Sequence, residues 1–233
     1  MKPHANLSLA ANRASSGLSG RYNHGVLAHF CATGHSSAMV VSTPSLPPVD
    51  TGRLRLRCAE PGDAEALSAM MNDAISRRLA SWPVPYTPVM AADRIAGVRM
   101  AAAEQRSLPF VVERRADGAV LGWISISRAP GDNETALITY WLGEAYQGHG
   151  YMREAVPAAV REAFVRMDVV RLRAAVQDDN EASLAVVRLL GMAPMGEGRI
   201  WCPSRGREET CLWFELPRER AREALSADAG TAP

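Results

Sequence analysis

The stretch that most narrows what this chain can become is Ile138-Thr139-Tyr140-Trp141-Leu142-Gly143-Glu144-Ala145-Tyr146-Gln147-Gly148-His149-Gly150-Tyr151-Met152-Arg153-Glu154-Ala155. Ile138 to Leu142 is a β-branched and aromatic run, which predicts a strand. Gly148 and Gly150 admit backbone angles barred to other residues, which predicts a turn. Met152, Ala155, Val156, Ala159, Val160, Ala163, Phe164 and Met167 then recur at helical spacing. A strand that feeds a glycine turn into a helix N-terminus makes an anion site. The first helical turn has unpaired N–H groups and the positive end of the dipole, and glycines let a phosphate come close. Gln147 to Arg153 thus reads as a phosphate cradle or as an ordinary strand-to-helix turn. It is not a Walker A loop, since no Gly-Lys-Ser/Thr follows. Nor is it the dinucleotide fingerprint, because Arg153 stands where the third glycine would be.

A second unit follows. Arg171 to Val176 alternates as a strand. Asn180 is a good helix N-cap with Ser183 three residues on, Leu184, Val187 and Leu190 or Leu189 form an apolar face, and Gly191 suits the helix stop.

With both units in view, the chain resembles the GNAT superfamily of acetyl-CoA-dependent N-acetyltransferases, within it the RimJ/RimL-like branch. The resemblance rests on Gln147-Gly148-His149-Gly150-Tyr151-Met152, on Asn180-Glu181-Ala182-Ser183, on Leu190-Gly191-Met192 and on Tyr140-Trp141-Leu142, and it spans roughly Arg53 to Leu216. It implies an α/β fold: a mixed, mostly antiparallel central sheet, helices on both faces, and a splayed strand pair that holds acetyl-CoA. Main-chain groups of the strand, with Tyr140, Trp141 and Leu142, would bind the pantetheine arm. Gln147, Gly148, His149, Gly150, Tyr151, Met152 and Arg153 would hold the pyrophosphate. Asn180 would cap the helix and reach the pantetheine, and Ser183 would either protonate the leaving thiolate or serve only in the cap. Acetyl-CoA is the expected co-substrate, and no metal is expected.

Composition removes other classes. The chain has 233 residues, 26 basic and 25 acidic, for a net charge of +1. That offers no electrostatic case for nucleic acid or an anionic membrane. No apolar run approaches the roughly 18 residues a membrane-spanning helix needs, and Lys2 is not followed by the apolar core of a signal peptide. Cys31, Cys58, Cys202 and Cys211 form no zinc spacing with the five histidines and read as reduced thiols, so a cytoplasmic enzyme is expected.

Along the chain, residues 1–50 read as a disordered tail, 51–217 as the N-acetyltransferase domain and 218–233 as a C-terminal tail. Met39 is a candidate for the true start. His24, His29 and His35 fall in that tail without a metal-like pattern. Arg53 to Cys58 is a strand. A helix is expected from Pro61-Gly62-Asp63 through Ile75, then a non-helical stretch around Pro83, Pro85 and Pro88. A second helix is expected from Met90 to Gln105. Trp82 and Tyr86 are candidates to line the acceptor pocket, or to pack a lid. Leu108–Arg114 and Val120–Ser127 form a hairpin around Asp117-Gly118. Arg199–Cys202 and Thr210–Leu216 form a last hairpin, whose outer strand is a dimer edge if the protein is a homodimer rather than a monomer.

The base is the weak point of the pattern. Related enzymes often carry a glutamate where this chain has Leu137, and another where it has Trp201. Glu134 is the substitute, working through water. A missing base costs an α-amine less than a lysine: with pKa values near 8 and 10.4, about a tenth of the former is neutral at pH 7 but under about a thousandth of the latter. The expected acceptor is therefore a protein N-terminal α-amine. The rivals are a small amine (antibiotic, polyamine or amino acid) and a coenzyme-binding module without catalysis. Met152 replaces a small residue of the turn motif, and Pro157 lies inside the helix.

Overall fold

The computed structural model describes residues 46–221. The expected tail up to residue 45, with its histidines, Cys31 and Met39, and the stretch after residue 221 lie outside the described residues. An eight-stranded sheet organises the rest, in the order β1-β2-β3-β4-β5-β6-β8-β7. Its strands are β1 (Val49–Asp50), β2 (Leu54–Cys58), β3 (Ser107–Arg114), β4 (Val120–Ala129), β5 (Asp132–Leu142), β6 (Arg171–Val176), β7 (Ala193–Cys202) and β8 (Arg207–Pro217). All neighbours are antiparallel except β5 and β6. Val49 and Asp50, within the expected tail, pair with Leu56 and Arg55 as an edge strand.

Strand alternation sends side chains to two faces, and two cores result. On one face α4 (Tyr151–Arg166) and α5 (Glu181–Leu189) cover Leu54, Leu56, Phe110, Ile124 and Ile126. On the other, α1 (Ala64–Met70), α2 (Asp73–Ser76) and α3 (Pro88–Ala103) cover Val111, Trp123 and Trp141. Helix α4 buries Ala155, Val156, Ala159, Val160, Ala163 and Phe164, the apolar face the spacing predicts. Pro157 sits inside α4, buried, and leaves the Arg153 carbonyl without its usual helical donor.

Three elements differ from expectation. The helix after Pro61 is not continuous. Met71 is extended, and the Asn72 side chain accepts from Ile75 N (3.1 Å), so asparagine opens a new helix in mid-pattern. Helix α3 starts two residues early, at Pro88, because Thr87 caps it by accepting from Met90 N (3.2 Å) and a proline at the first position has no N–H to lose. The terminal hairpin is also longer than expected: its turn is confined to residues 203–206 and its strands run from Ala193 and to Pro217.

Candidate active site

Strands β5 and β6 pair only at Thr135↔Arg171, Ala136↔Leu172 and Leu137↔Arg173. Beyond that point β5 stays paired with β4 as far as Gly122↔Leu142, while β6 stays paired with β8 as far as Val176↔Leu212. The two strands therefore diverge, and a gap opens between them. Strand alternation decides what faces it. Glu134 O accepts from Val170 N on the β6 side, and Gly143 N donates to Leu121 O on the β4 side. Even-numbered residues of β5 thus turn their main chain toward the gap. Tyr140, and the Leu142 N–H, offer an open strand edge there; the Leu142 carbonyl is held by Gln147 Nε2 (3.0 Å).

Gly122 makes this path possible. A Cβ on it would lie 2.2 Å from the Trp141 carbonyl oxygen and 2.8 Å from Leu142 Cα. Main chain cannot swing aside as a side chain can, so only glycine lets β5 run this close to β4. This residue escaped the sequence reading. A glycine inside a strand pattern was the available signal.

At the end of β5, Gly148 (φ 78°) and Gly150 (φ 76°) take the left-handed conformation that favours glycine. Gly150 is the N-cap of α4, and no side chain caps the helix. The N–H groups of Tyr151, Met152 and Arg153 have no acceptor among the described residues, as a first helical turn dictates. His149 and Arg153 are exposed beside them. The His149 ring stacks on Tyr151 at 5.7 Å, the Arg53 guanidinium covers the Tyr151 ring at 4.7 Å, and Arg53 Nη1 donates to the His149 carbonyl (3.1 Å). Met152 is half-buried against the α4-side core. Burial pushes the Glu154 carboxyl up, but hydrogen bonds from Thr51 Oγ1 (2.5 Å) and from the Arg53 main chain and guanidinium (2.7 Å each) more than offset this and hold it below the usual range. The ionised Glu154 ties the chain before β2 to the cradle. An adjoining cleft of about 500 Å³ has Arg53, Arg114, Arg115 and Tyr151 in its walls. Of these, only Tyr151 belongs to the pattern read from sequence.

Across the gap, Asn180 Oδ1 accepts from Ser183 N (3.2 Å), the expected cap. The Tyr140 hydroxyl donates to the Ser183 carbonyl over a long 3.5 Å, so the two banks meet at this pair. Burial pushes the Tyr140 phenol up to about 12, which keeps its proton on at neutral pH.

The structure brings together Tyr140, Leu142, Gln147 to Arg153, Asn180 and Ser183. It does not bring Glu134 to them. That residue sits where β5 and β6 are still paired, its side chain 67% exposed and in an ion pair with Arg171 (3.2 Å). At about 3.3 Å per residue it lies some 25 Å along the strand from Leu142. Trp82 and Tyr86 are in the second core, at 2% and 8% exposure, where they form the lid packing rather than an open pocket wall. Trp82 packs on Tyr86 and Trp141 at 5.1 Å each and on Trp123 at 5.7 Å. Its link to the gap is through Trp141, whose indole nitrogen is buried without a partner.

A crossbar spans the mouth of the gap, and the sequence reading did not anticipate it. At one end Asn72 Nδ2 donates to Glu144 Oε2 (2.8 Å), just past β5. At the other, just past β6, Arg78 bonds Gln177 (3.1 Å) and Asp179, and Gln177 Nε2 donates to the Arg77 carbonyl (2.9 Å). The β7–β8 turn is latched onto the same segment. Ser204 Oγ donates to the Ala80 carbonyl (2.8 Å), and Arg205 Nη1 to the Leu79 and Ser76 carbonyls (2.9 and 3.1 Å). Arg205 also clamps both oxygens of Glu209 (2.7 and 2.8 Å), and this partner holds the Glu209 carboxyl down at about 2.

Residues 53–193 match the family model described as an acetyltransferase (GNAT) domain. An uncharacterized N-acetyltransferase, p20 of Bacillus licheniformis, is 27% identical over 71% of this chain and 93% of its own length. Among solved structures, Mycobacterium smegmatis RimJ in complex with CoA-disulfide superposes with a TM-score of 0.64 at 24% identity, covering 80% of this chain and 95% of that one. RimL, the ribosomal L7/L12 α-N-protein acetyltransferase in complex with coenzyme A, gives 0.64 at 21%, covering 73% and 98%.

Proposed function

The chain belongs to the GNAT acetyltransferase family, and from that premise we propose that it transfers acetyl from acetyl-CoA to a protein N-terminal α-amine, as befits its likeness to the α-N-protein acetyltransferase RimL. The observation that carries the reading is the divergence of β5 from β6 after Leu137, with an open strand edge leading to a glycine-capped helix N-terminus. These features fit acetyl-CoA in order. The extended, amide-bearing pantetheine arm matches the main chain of Tyr140 and Leu142. The pyrophosphate matches the free N–H groups of Tyr151 to Arg153 and the dipole of α4. When bound, acetyl-CoA supplies an activated acyl group whose leaving thiolate is a weak base.

The residues then divide the work. The Leu142 N–H faces the gap and is a fixed donor for charge developing on the acyl oxygen; the Trp141 N–H faces β4 instead. The Ser183 hydroxyl is the donor toward the departing sulfur, and the proton-retaining Tyr140 phenol, which donates to the Ser183 carbonyl, ties that residue to the β5 bank. Among the described residues no carboxylate lies on the open part of the β5 edge, which favours an acceptor already partly neutral at pH 7, such as an α-amine.

The test is thiol release from acetyl-CoA against peptides with free Ala, Ser or Thr termini, the same peptides blocked, polyamines and aminoglycosides. Turnover confined to free-terminus peptides is expected. Turnover with only a small amine would replace this acceptor. A thermal shift with acetyl-CoA but no turnover would point to a coenzyme-binding module.

A further inference from the structure

Past the end of β6 a cleft of about 510 Å³ lies between the end of α2, residues 177–179 and the β7–β8 hairpin. Its charges are not equally free. Glu209 is occupied: Arg205 holds both its oxygens, and Arg207 Nε (3.0 Å) and Gln177 Nε2 (3.4 Å) add to them. Arg205 spends its remaining nitrogen on the latch to Ser76 and Leu79. Two guanidiniums keep donors for a ligand. Arg77 is exposed and makes no side-chain hydrogen bond among the described residues; it reaches Asp179 only through space. Arg207 is 69% exposed and uses Nε and Nη2 on Glu209, which leaves Nη1. The cleft also holds Asp178, exposed, and Asp179, shared with Arg78, in the turn that leads to Asn180 and Ser183.

The cleft therefore offers both signs of charge to a ligand: Asp178 and Asp179 in the turn that leads to Asn180 and Ser183, and the free donors of Arg77 and Arg207. We propose that it selects protein N-termini with acidic side chains just behind the α-amine, the amine drawn toward Asp178 and Asp179 and the acidic side chains toward Arg77 and Arg207. Arginine's fork suits carboxylates. A polyamine would bring cations to Arg77 and Arg207 and be disfavoured. The inference rests on the acetyltransferase reading and names its acceptor class. One unit-charge contact at solvent dielectric is about fivefold in affinity, so two contacts replaced by two repulsions exceed tenfold.

The experiment compares two peptides with the same free terminal alanine, followed by Asp-Glu-Asp in one and Lys-Arg-Lys in the other, with spermidine as third acceptor. KM is measured at low and high salt for the full chain and for the double variant Arg77→Glu, Arg207→Glu. The acidic peptide should have a KM at least about tenfold lower. The difference should shrink on going from about 0.05 to 0.5 M salt, as screening shortens from some 14 to 4 Å, and the preference should reverse in the double variant. The thermal shift with acetyl-CoA should be the same in both proteins. Equal KM values for the two peptides, or better turnover of spermidine, overturn this inference and leave the acetyltransferase reading standing. If no amine turns over, that reading fails. Fluorescence anisotropy of the two labelled peptides with the CoA-bound protein then decides the inference by itself, with equal affinities overturning it.

Discussion

On the β5 bank of the gap, the groups turned toward a ligand belong to the main chain: the Tyr140 and Leu142 strand edge, then the N–H groups of Tyr151 to Arg153 behind two left-handed glycines. On the β6 bank they belong to side chains: Asp178, Asp179, Arg77, Arg78 and Arg207 around the clamped Arg205–Glu209 pair. A ligand held by main chain is sensitive to backbone shape and indifferent to most side chains. A ligand held by charged side chains is sensitive to salt, pH and identity. One bank can therefore stay constant across a family while the other changes acceptor.

Breaking the β5 bank should have the largest effect. Gly122→Ala drives a methyl into the main chain of Trp141 and Leu142. A cost of about 3 kcal/mol is expected, lowering Tm by about 6–12 °C with loss of acetyl-CoA binding. Calorimetry with and without coenzyme checks it. Next is Arg205→Met, which unlatches the hairpin and leaves Glu209 with the exposed Arg207 and a long bond from Gln177. About 2 kcal/mol should be lost, with acceptor KM raised and acetyl-CoA affinity unchanged, a combination that would hold the two banks apart. The same pair sets an acid limb. The Glu209 carboxyl, near 2 when folded, lies below its ordinary 4.5, so its stabilisation is complete above about pH 4.5 and is lost as pH falls through 2. Urea titrations across that range should show a steeper loss for the parent than for Arg205→Met.

Gly150→Val sharpens the contrast from the other side. A β-branched residue at φ 76° costs about 1–2 kcal/mol unless the cradle relaxes. Acetyl-CoA affinity should drop about tenfold, with acceptor KM at saturating coenzyme unmoved. The smallest change is Asn180→Ala, which removes the α5 cap for about 1 kcal/mol. Because α5 begins on the side-chain bank, thermal stability should fall by a few degrees while coenzyme binding changes little. A tenfold loss of coenzyme affinity here would show that Asn180 touches the ligand.

The same contrast explains what was legible in the sequence. The cradle was legible because glycines and helical spacing are local, and Gly148, Gly150 and the α4 face fall where the spacing places them. Asn180 capping Ser183 is equally local. The aromatic cluster was half legible. Proline spacing excluded a helix around Trp82, but only tertiary packing puts Trp82 against Trp141. The crossbar was not legible, because Asn72–Glu144 and Arg78–Asp179 join residues far apart in the chain. Asn72 even disguised itself inside an apolar helical pattern. Glu134 is close to Leu137 in sequence only. A strand turns three residues of sequence into about 10 Å, and here it carried the carboxylate to the closed end.

The crossbar has one more consequence. Start at Leu137, follow β5 to Glu144, cross by Asn72 to Arg78, step to Asp179, and return down β6 to Arg173: the path is a closed hoop. A hoop has two mouths, one under the α4 side of the sheet and one under the α1–α3 side. Donor and acceptor can each own a doorway and meet in the plane of the sheet, so neither has to vacate the hoop before the other arrives. For the proposed reaction this leaves room for a complex of enzyme with both reactants.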